Sequence, residues 1–393
     1  MSLIVQLANF YGPSSGGLRT ALDELGRGYA AAGIDRVLIV PGPDDDEVHG
    51  ISGVRLTLRS PVLPGSGGYR LIASARRVLD VLDSLRPDAV EVSDKLTLVA
   101  AGRWGGRRGV SAILLSHERI DATLADRVPR FVPLGAAADL WNRRLAAAFD
   151  TVVCPSRFTL DEFERIGARN TALVPWGVDH GTFRPDAAQT GNDRTDGARL
   201  ELVCVGRLSR EKRPEIAIDT AAELTARGLD VHLTMIGDGP LRRHLQQLAS
   251  TRRSKVTFTG HLDERNSVAA LLAGADVTIA PCPVEAFGLS ILESLACGTP
   301  VVTSATGAGV EVTDIACGRA AAGGAQTFAD AVEDLIGRDR STLQQRARRR
   351  AEQFTWSAAA RELVALHGLR GRERSVQSGR SLVPHNVVPD RSA

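Results

Sequence analysis

Twice along this 393-residue chain, short continuous apolar runs alternate with segments of helical period, and a polar stretch separates the two series. In the first series the runs are residues 3–8, Val37 to Val40, Ala89 to Val92, Ala112 to Leu115 and Val152 to Cys154. The second begins at Leu202 to Val205 and continues through Thr234 to Ile236, Val256 to Thr259, Val277 to Ala280 and Val301-Val302. A run without polar alternation must be covered on both faces, as a parallel strand between helical layers is. Residues 181–197 are polar, lack apolar period and read as a linker. The pattern predicts an α/β chain of two doubly wound, Rossmann-like domains facing each other across a cleft.

Composition is consistent with that size. At 43% hydrophobic residues, the chain can bury two large cores. Forty-eight Lys and Arg against 46 Asp and Glu leave a charge of +2, which gives no reason to expect nucleic acid as a partner. The cysteines at 154, 204, 282, 297 and 317 are odd in number and form no CxxC pair, so a reducing compartment is the simplest setting. Residues 1–8 lack a basic leader and no stretch reaches about 18 uninterrupted apolar residues, so a cytoplasmic protein is expected.

One stretch, Val284 to Val302, carries chemistry. Pro281 and Pro283 take the chain out of the sheet after Ala280. Gly288 then opens a helix with Leu289, Leu292, Leu295 and Ala296 on one face, and Gly298 before Thr299-Pro300 ends it. Glu285 lies in the loop and Glu293 in the helix, separated by seven residues. On one continuous helix they would stand about 80° apart, so a shared face does not explain the spacing. The free N–H groups of a helix N-terminus suit a diphosphate, and carboxylates suit hydroxyls. Together these features suit a sugar nucleotide lying across the terminus; the alternative is a buried helix with two ordinary surface glutamates.

Other segments admit two readings on their residues alone. Arg207 and Lys212, in a loop opened by Gly206, could fork and clamp phosphate oxygens or simply form a basic loop. Gly16 and Gly17 follow the first strand, where a ligand loop and a structural turn fit equally well. His117 ends a parallel strand, where open α/β sheets bind ligands, and could instead be satisfied by a neighbouring loop. The pattern from Tyr69 to Leu85, with Arg70, Arg76, Arg77 and Arg86, predicts a basic amphipathic helix; it could dock on anionic lipid headgroups, though an ordinary surface helix is the commoner case. Asp44-Asp45-Asp46-Glu47 reads as a solvated loop rather than a metal motif.

The Glu, seven residues, Glu pattern with Phe-Gly after its first Glu resembles the donor-site signature of retaining glycosyltransferases of family four, which have the GT-B fold. Arg207 and Lys212 stand five residues apart where that family holds the donor diphosphate. The resemblance implies that Glu285 holds hexose hydroxyls, Glu293 the ribose, and His117 the sugar near the acceptor. It also implies donor contacts at Gly16, Gly17, Gly260, His261, Ala286, Phe287, Gly288 and Leu289. Val174 to Asp179 resembles the family's domain-closing motif, with Trp176 where Asn is usual. Residues 1–180 would be the acceptor domain and 198–355 the donor domain. Residues 356–370 would form a helix crossing back to the first domain, followed by a disordered tail at 371–393. No cofactor and no metal are implied, because the two cations supply the charge that opposes the leaving diphosphate.

Loose likeness to actinobacterial mannosyltransferases makes GDP-mannose the first expected donor, ahead of UDP-glucose and UDP-N-acetylglucosamine. The acceptor is expected to be a glycolipid or a growing oligo- or polysaccharide, with peripheral contact at the inner membrane surface. Two other readings remain: a nucleotide-sugar epimerase, which would isomerise the donor, and a non-catalytic nucleotide-sugar binder.

Overall fold

The computed structural model describes residues 2–12, 16–63, 68–121, 134–188 and 199–369. The first series comprises β1 (Leu3–Leu7), α1 (Gly17–Ala31), β2 (Asp35–Gly42), β3 (Asp46–Gly50), β4 (Gly53–Arg59), α2 (Ala75–Leu85), β5 (Ala89–Val92), α3 (Ala100–Arg108), β6 (Ser111–Leu115), α4 (Leu134–Ala146), β7 (Thr151–Cys154), α5 (Arg157–Glu164) and β8 (Thr171–Leu173). The second comprises β9 (Leu200–Val205), α6 (Glu215–Ala226), β10 (Val231–Ile236), α7 (Arg242–Arg252), β11 (Lys255–Gly260), α8 (Arg265–Gly274), β12 (Val277–Ala280), α9 (Leu289–Ala296), β13 (Val301–Ser304), α10 (Gly309–Val312), β14 (Gly318–Ala321), α11 (Ala325–Ile336) and α12 (Arg340–Ala351). A last helix, α13 (Trp356–Leu366), follows.

The chain divides into two compact units. Among the described residues, one takes in the chain up to Asp121, the stretch 134–175 and α13 with the three residues after it; the other takes in the stretch between Trp176 and Thr355. Among the described residues, the first unit holds a sheet of eight strands in the order β3-β4-β2-β1-β5-β6-β7-β8, parallel except for β3. The second holds six parallel strands in the order β11-β10-β9-β12-β13-β14. The buried faces of these strands and of the helices packed on them build a main core in each unit, and the first unit adds a smaller cluster of Ala8, Leu22, Leu38 and Val40. In each sheet the strand order reverses once near its middle, at β1 in the first and between β9 and β12 in the second. Loops leaving neighbouring strands there run to opposite faces, and the crevice between them is where such sheets bind ligands.

Helix α13 packs on α1 within the first unit. A Cβ on Gly28 would stand 2.5 Å from that of Ala360, so only glycine permits this approach. The linker expected at 181–197 is partly packed: Phe183 is buried in the second unit, and Asp179 accepts hydrogen bonds from the backbone N–H groups of Gly181 and Thr182. Residues 189–198 of that linker and the tail at 371–393 lie outside the described residues.

Two expectations, one from periodicity and one from charge, are corrected. The helix expected over Tyr69 to Leu85 begins only at Ala75, where the Ser74 hydroxyl accepts from the Arg77 N–H. Upstream, the Leu63 N–H donates to Tyr69 O at 2.8 Å and Val62 bridges Arg70, so those residues close a hairpin instead. Arg70 donates to Ser60 O and Arg77 pairs with Asp45, leaving Arg76 and Arg86 as the exposed arginines of the segment, beside the exposed Asp80 and Asp83. The acidic run is also not all loop. Asp46 and Glu47 start the edge strand β3, antiparallel to β4, because Gly50 and Gly53 allow a tight hairpin between them.

Candidate active site

In the second unit the loops leaving β9 and β12 meet at the switch point. Gly206, at φ +153°, turns the chain out of β9; its N–H donates to Ile236 O and the Leu208 N–H donates to Asp238 O, so the loop is pinned at both ends. A Cβ on Gly237 would lie 2.1 Å from Gly206 O, which leaves room for no other residue there. This braced loop carries Arg207 and Lys212. The Lys212 ammonium donates to Glu285 Oε2 at 2.7 Å, with 35% of the lysine side chain and 18% of the glutamate exposed. Burial, the largest single influence, opposes the lysine charge, but Glu285, Cys282 and Glu211 together outweigh it and hold the ammonium above its ordinary value.

The Glu285 loop is braced in turn. Its carbonyl accepts from the Ala308 N–H at 2.8 Å, and Thr306 Oγ1 donates to Pro283 O at 3.1 Å. Phe287 is buried edge-on against Phe354, centroids 6.1 Å apart, which anchors the loop before Gly288 turns it into α9 at φ +95°. The first intrahelical bond of α9 runs from Leu292 N–H to Gly288 O, so the N–H groups of Leu289, Ser290 and Ile291 precede the helix ladder. Glu293 sits one turn further in, 3.8 Å from Arg265, which also stands 3.6 Å from Asp179. Gly260, at φ +76°, gives its carbonyl to the Gly237 N–H, while the exposed His261 lies 3.5 Å from Asp263. Ala286 and Leu289 are half-buried beside these groups.

The first unit holds the other expected residues. Gly16 is the exposed residue before α1 and Gly17 is its first residue; residues 13–15 lie outside the described ones. His117 follows β6, half-buried, with Nε2 and Ser93 Oγ 2.9 Å apart. Burial first, and then the charge of Lys95, push its imidazole down to about 4 against the opposing pull of Glu91. Trp176, at the Asn position of the closing motif and at the start of the second unit, is buried. Among the described residues no group of three His, Cys, Asp or Glu side chains is placed to hold a metal ion.

Comparison with known proteins gives the family and the fold. The family described as "Glycosyl transferases group 1" matches residues 199–338, and the "Glycosyl transferase 4-like domain" matches residues 16–177. A Mycobacterium tuberculosis protein named "GDP-mannose-dependent alpha-(1-6)-phosphatidylinositol dimannoside mannosyltransferase" is 45% identical over 368 residues, 93% of this chain and 96% of that one. The chain is a group 1 glycosyltransferase. A glycogen synthase of the same organism is 30% identical over 96% of each chain, so the glycosyltransferase has relatives of more than one named activity. Among solved structures, sucrose-phosphate synthase from Thermosynechococcus elongatus superposes with a TM-score of 0.74 at 20% identity, covering 94% of this chain and 98% of that one. The glycosyltransferase thus has the GT-B architecture of two Rossmann-like domains, as its sequence led us to expect.

Several residues that shape this site were not visible in the glycosyltransferase's sequence. Gly307, at φ +82°, passes so close that a Cβ would stand 2.9 Å from Glu285 N. The Cys282 thiol donates to Glu211 O at 3.3 Å beneath the ion pair, and burial pushes it up to about 11, which makes it inert. Lys95 and Arg265 carry no spacing signal; the only hint for Lys95 is its place just beyond a buried strand.

Proposed function

We propose that this glycosyltransferase moves mannose from GDP-mannose, with retention of configuration, to a hydroxyl of a phosphatidylinositol mannoside. The observation that carries the reading is the 45% identity, over nearly the whole of both chains, to a mycobacterial enzyme named for that donor and a phosphatidylinositol dimannoside acceptor. The site supplies matching chemistry. As the bond from the anomeric carbon to the diphosphate lengthens, negative charge gathers on the phosphate, and cations fixed beforehand stabilise it more than they stabilise the ground state. Arg207, Lys212 and the N–H groups opening α9 take that role.

Lys212 starts the cycle bonded to Glu285. An arriving diphosphate draws the ammonium away, and the released carboxylate is then able to accept from the sugar hydroxyls. Donor binding and sugar orientation are thereby coupled through one exchange of partners. Glu293 takes the ribose hydroxyls, and His117 is the first unit's candidate for contact with the transferred sugar. Because two cations meet the phosphate charge, the reaction runs without a metal. Among the described residues no helix is long and apolar enough to cross a membrane. A lipid acceptor would therefore be met at the bilayer surface, with Arg76 and Arg86 near the headgroups.

The test presents purified protein with phosphatidylinositol dimannoside in detergent and, separately, GDP-mannose, UDP-glucose or ADP-glucose. Expected is release of GDP with one α-linked hexose added to the lipid, in buffer containing chelator as well as in buffer with magnesium. Faster turnover of either glucose donor, or extension of a soluble glucan in preference to the lipid, overturns the reading.

A further inference from the structure

The loop after β5 buries a full ion pair. Lys95 is 5% exposed and Glu162, on α5, is 0% exposed. The lysine ammonium contacts Glu162 Oε1, donates to Glu118 O at 2.5 Å and lies 5.2 Å above the Phe163 ring. The second Glu162 oxygen accepts from Asn142 Nδ2 at 3.1 Å and from the Ile120 N–H at 3.2 Å. The Trp141 indole N–H donates to Lys95 O at 2.8 Å, which fixes the loop that carries the lysine.

Stability alone is a poor reason for this arrangement. Each buried ion costs several kcal/mol in desolvation, and an apolar pair of the same volume commonly serves a core as well or better. What charges do here and methyl groups would not is grip a backbone. The pair holds the chain at Glu118 O and again at Ile120 N–H, the residues directly after His117. Ser93, from the loop that also carries Lys95, meets the imidazole itself at 2.9 Å.

We propose that Lys95, held by Glu162, is a positioning residue that aims the His117 imidazole at the transferred sugar, an inference that rests on the reading of His117 given above. The Lys95 charge has a second consequence. Of the charged groups that act on His117, Lys95 lowers its affinity for a proton and Glu91 raises it, with burial the larger influence. Removing Lys95 should therefore bring protonation of His117 closer to neutral pH.

The test uses the paired variant Lys95→Met/Glu162→Gln, which leaves no lone buried charge and keeps an acceptor for Asn142 and Ile120. Transfer is measured from pH 4.5 to 8.5 for the wild type, the paired variant, His117→Ala and the triple variant, with melting and GDP binding as controls. The paired variant is expected to lose on the order of tenfold to a hundredfold in kcat, as a displaced catalytic group does, with GDP affinity unchanged. Its low-pH limb should move toward neutrality, and the triple variant should be no slower than His117→Ala. Multiplying losses in the triple variant overturn the proposal while leaving the His117 reading intact. Wild-type turnover in His117→Ala overturns that reading and the proposal with it. Should the paired variant lack a cooperative melt, Glu162→Gln alone is read in its place, and there too losses that multiply with His117→Ala overturn the proposal.

Discussion

Replacing Lys212 by alanine should damage catalysis far more than folding. In the free protein its ammonium meets Glu285 at 2.7 Å, with 35% and 18% of the two side chains exposed. An ion pair that open contributes up to about 1 kcal/mol to stability, so the variant should melt within a few degrees of the wild type. In the transition state the same ammonium faces the growing phosphate charge, and losing one such donor costs roughly 2.7–4 kcal/mol, or about a hundredfold to a thousandfold in kcat. Glu285→Gln separates the two states further. It removes the lysine's counter-charge, so GDP should bind at least as tightly as in the wild type while kcat falls because a neutral amide accepts more weakly from the sugar hydroxyls. The assays are initial rates of GDP release at saturating acceptor, GDP binding by calorimetry, and melting. A Lys212→Ala enzyme within about threefold of wild-type kcat/KM, or one whose lost activity matches a lost folded fraction, refutes the reasoning.

Gly16→Ala should fold, since an added Cβ meets nothing within 4 Å among the described residues; a raised KM for donor or acceptor is expected, and unchanged kinetics would mean that no substrate approaches there. Gly307→Ala forces a methyl to 2.9 Å from Glu285 N at a left-handed φ of +82°. It should lower kcat by on the order of tenfold through a shifted Glu285 and cost about 1–2 kcal/mol in stability, and wild-type kcat would count against the bracing role. Glu91 is fully buried among His367, Tyr29 and Gln6; burial raises its carboxyl, but the hydrogen bond and charge of His367, with Tyr29 and Gln6, outweigh that and hold it below the ordinary carboxylate value. A depressed folded value contributes stability above the unfolded pKa that is lost as pH falls through the folded one. Melting temperature should therefore drop on acidification below about pH 5, more steeply in the wild type than in Glu91→Gln, and equal slopes would remove Glu91 from the account.

Local signals carried a long way in this chain. The apolar runs became the parallel strands they implied, because a strand covered on both faces needs little polar alternation wherever it sits in the sheet. Gly288 opened α9 as expected, since a glycine before a helical period is a backbone instruction independent of distant contacts. Periodicity misled at Tyr69 to Ser74, where a hairpin across Pro61 to Leu71 took the backbone bonds that a helix would have used. Charge misled at Asp46 and Glu47, which say solvent but whose place beside β4 makes them an edge strand.

The residue order alone determined the two βα series and the helix at Gly288, and its motif spacing singled out Arg207, Lys212, Glu285 and Glu293 as candidates, because period, breakers and motif spacing act within a few residues. Only the tertiary structure decided that β9 lies between β10 and β12, and so that Lys212 meets a carboxylate 73 residues away. It likewise decided that Lys95 finds Glu162 across 67 residues and that His367 of the C-terminal segment reaches Glu91 across 276. Such pairings follow from strand order and helix packing, and those depend on the sum of many buried contacts rather than on any pattern near the residues that meet.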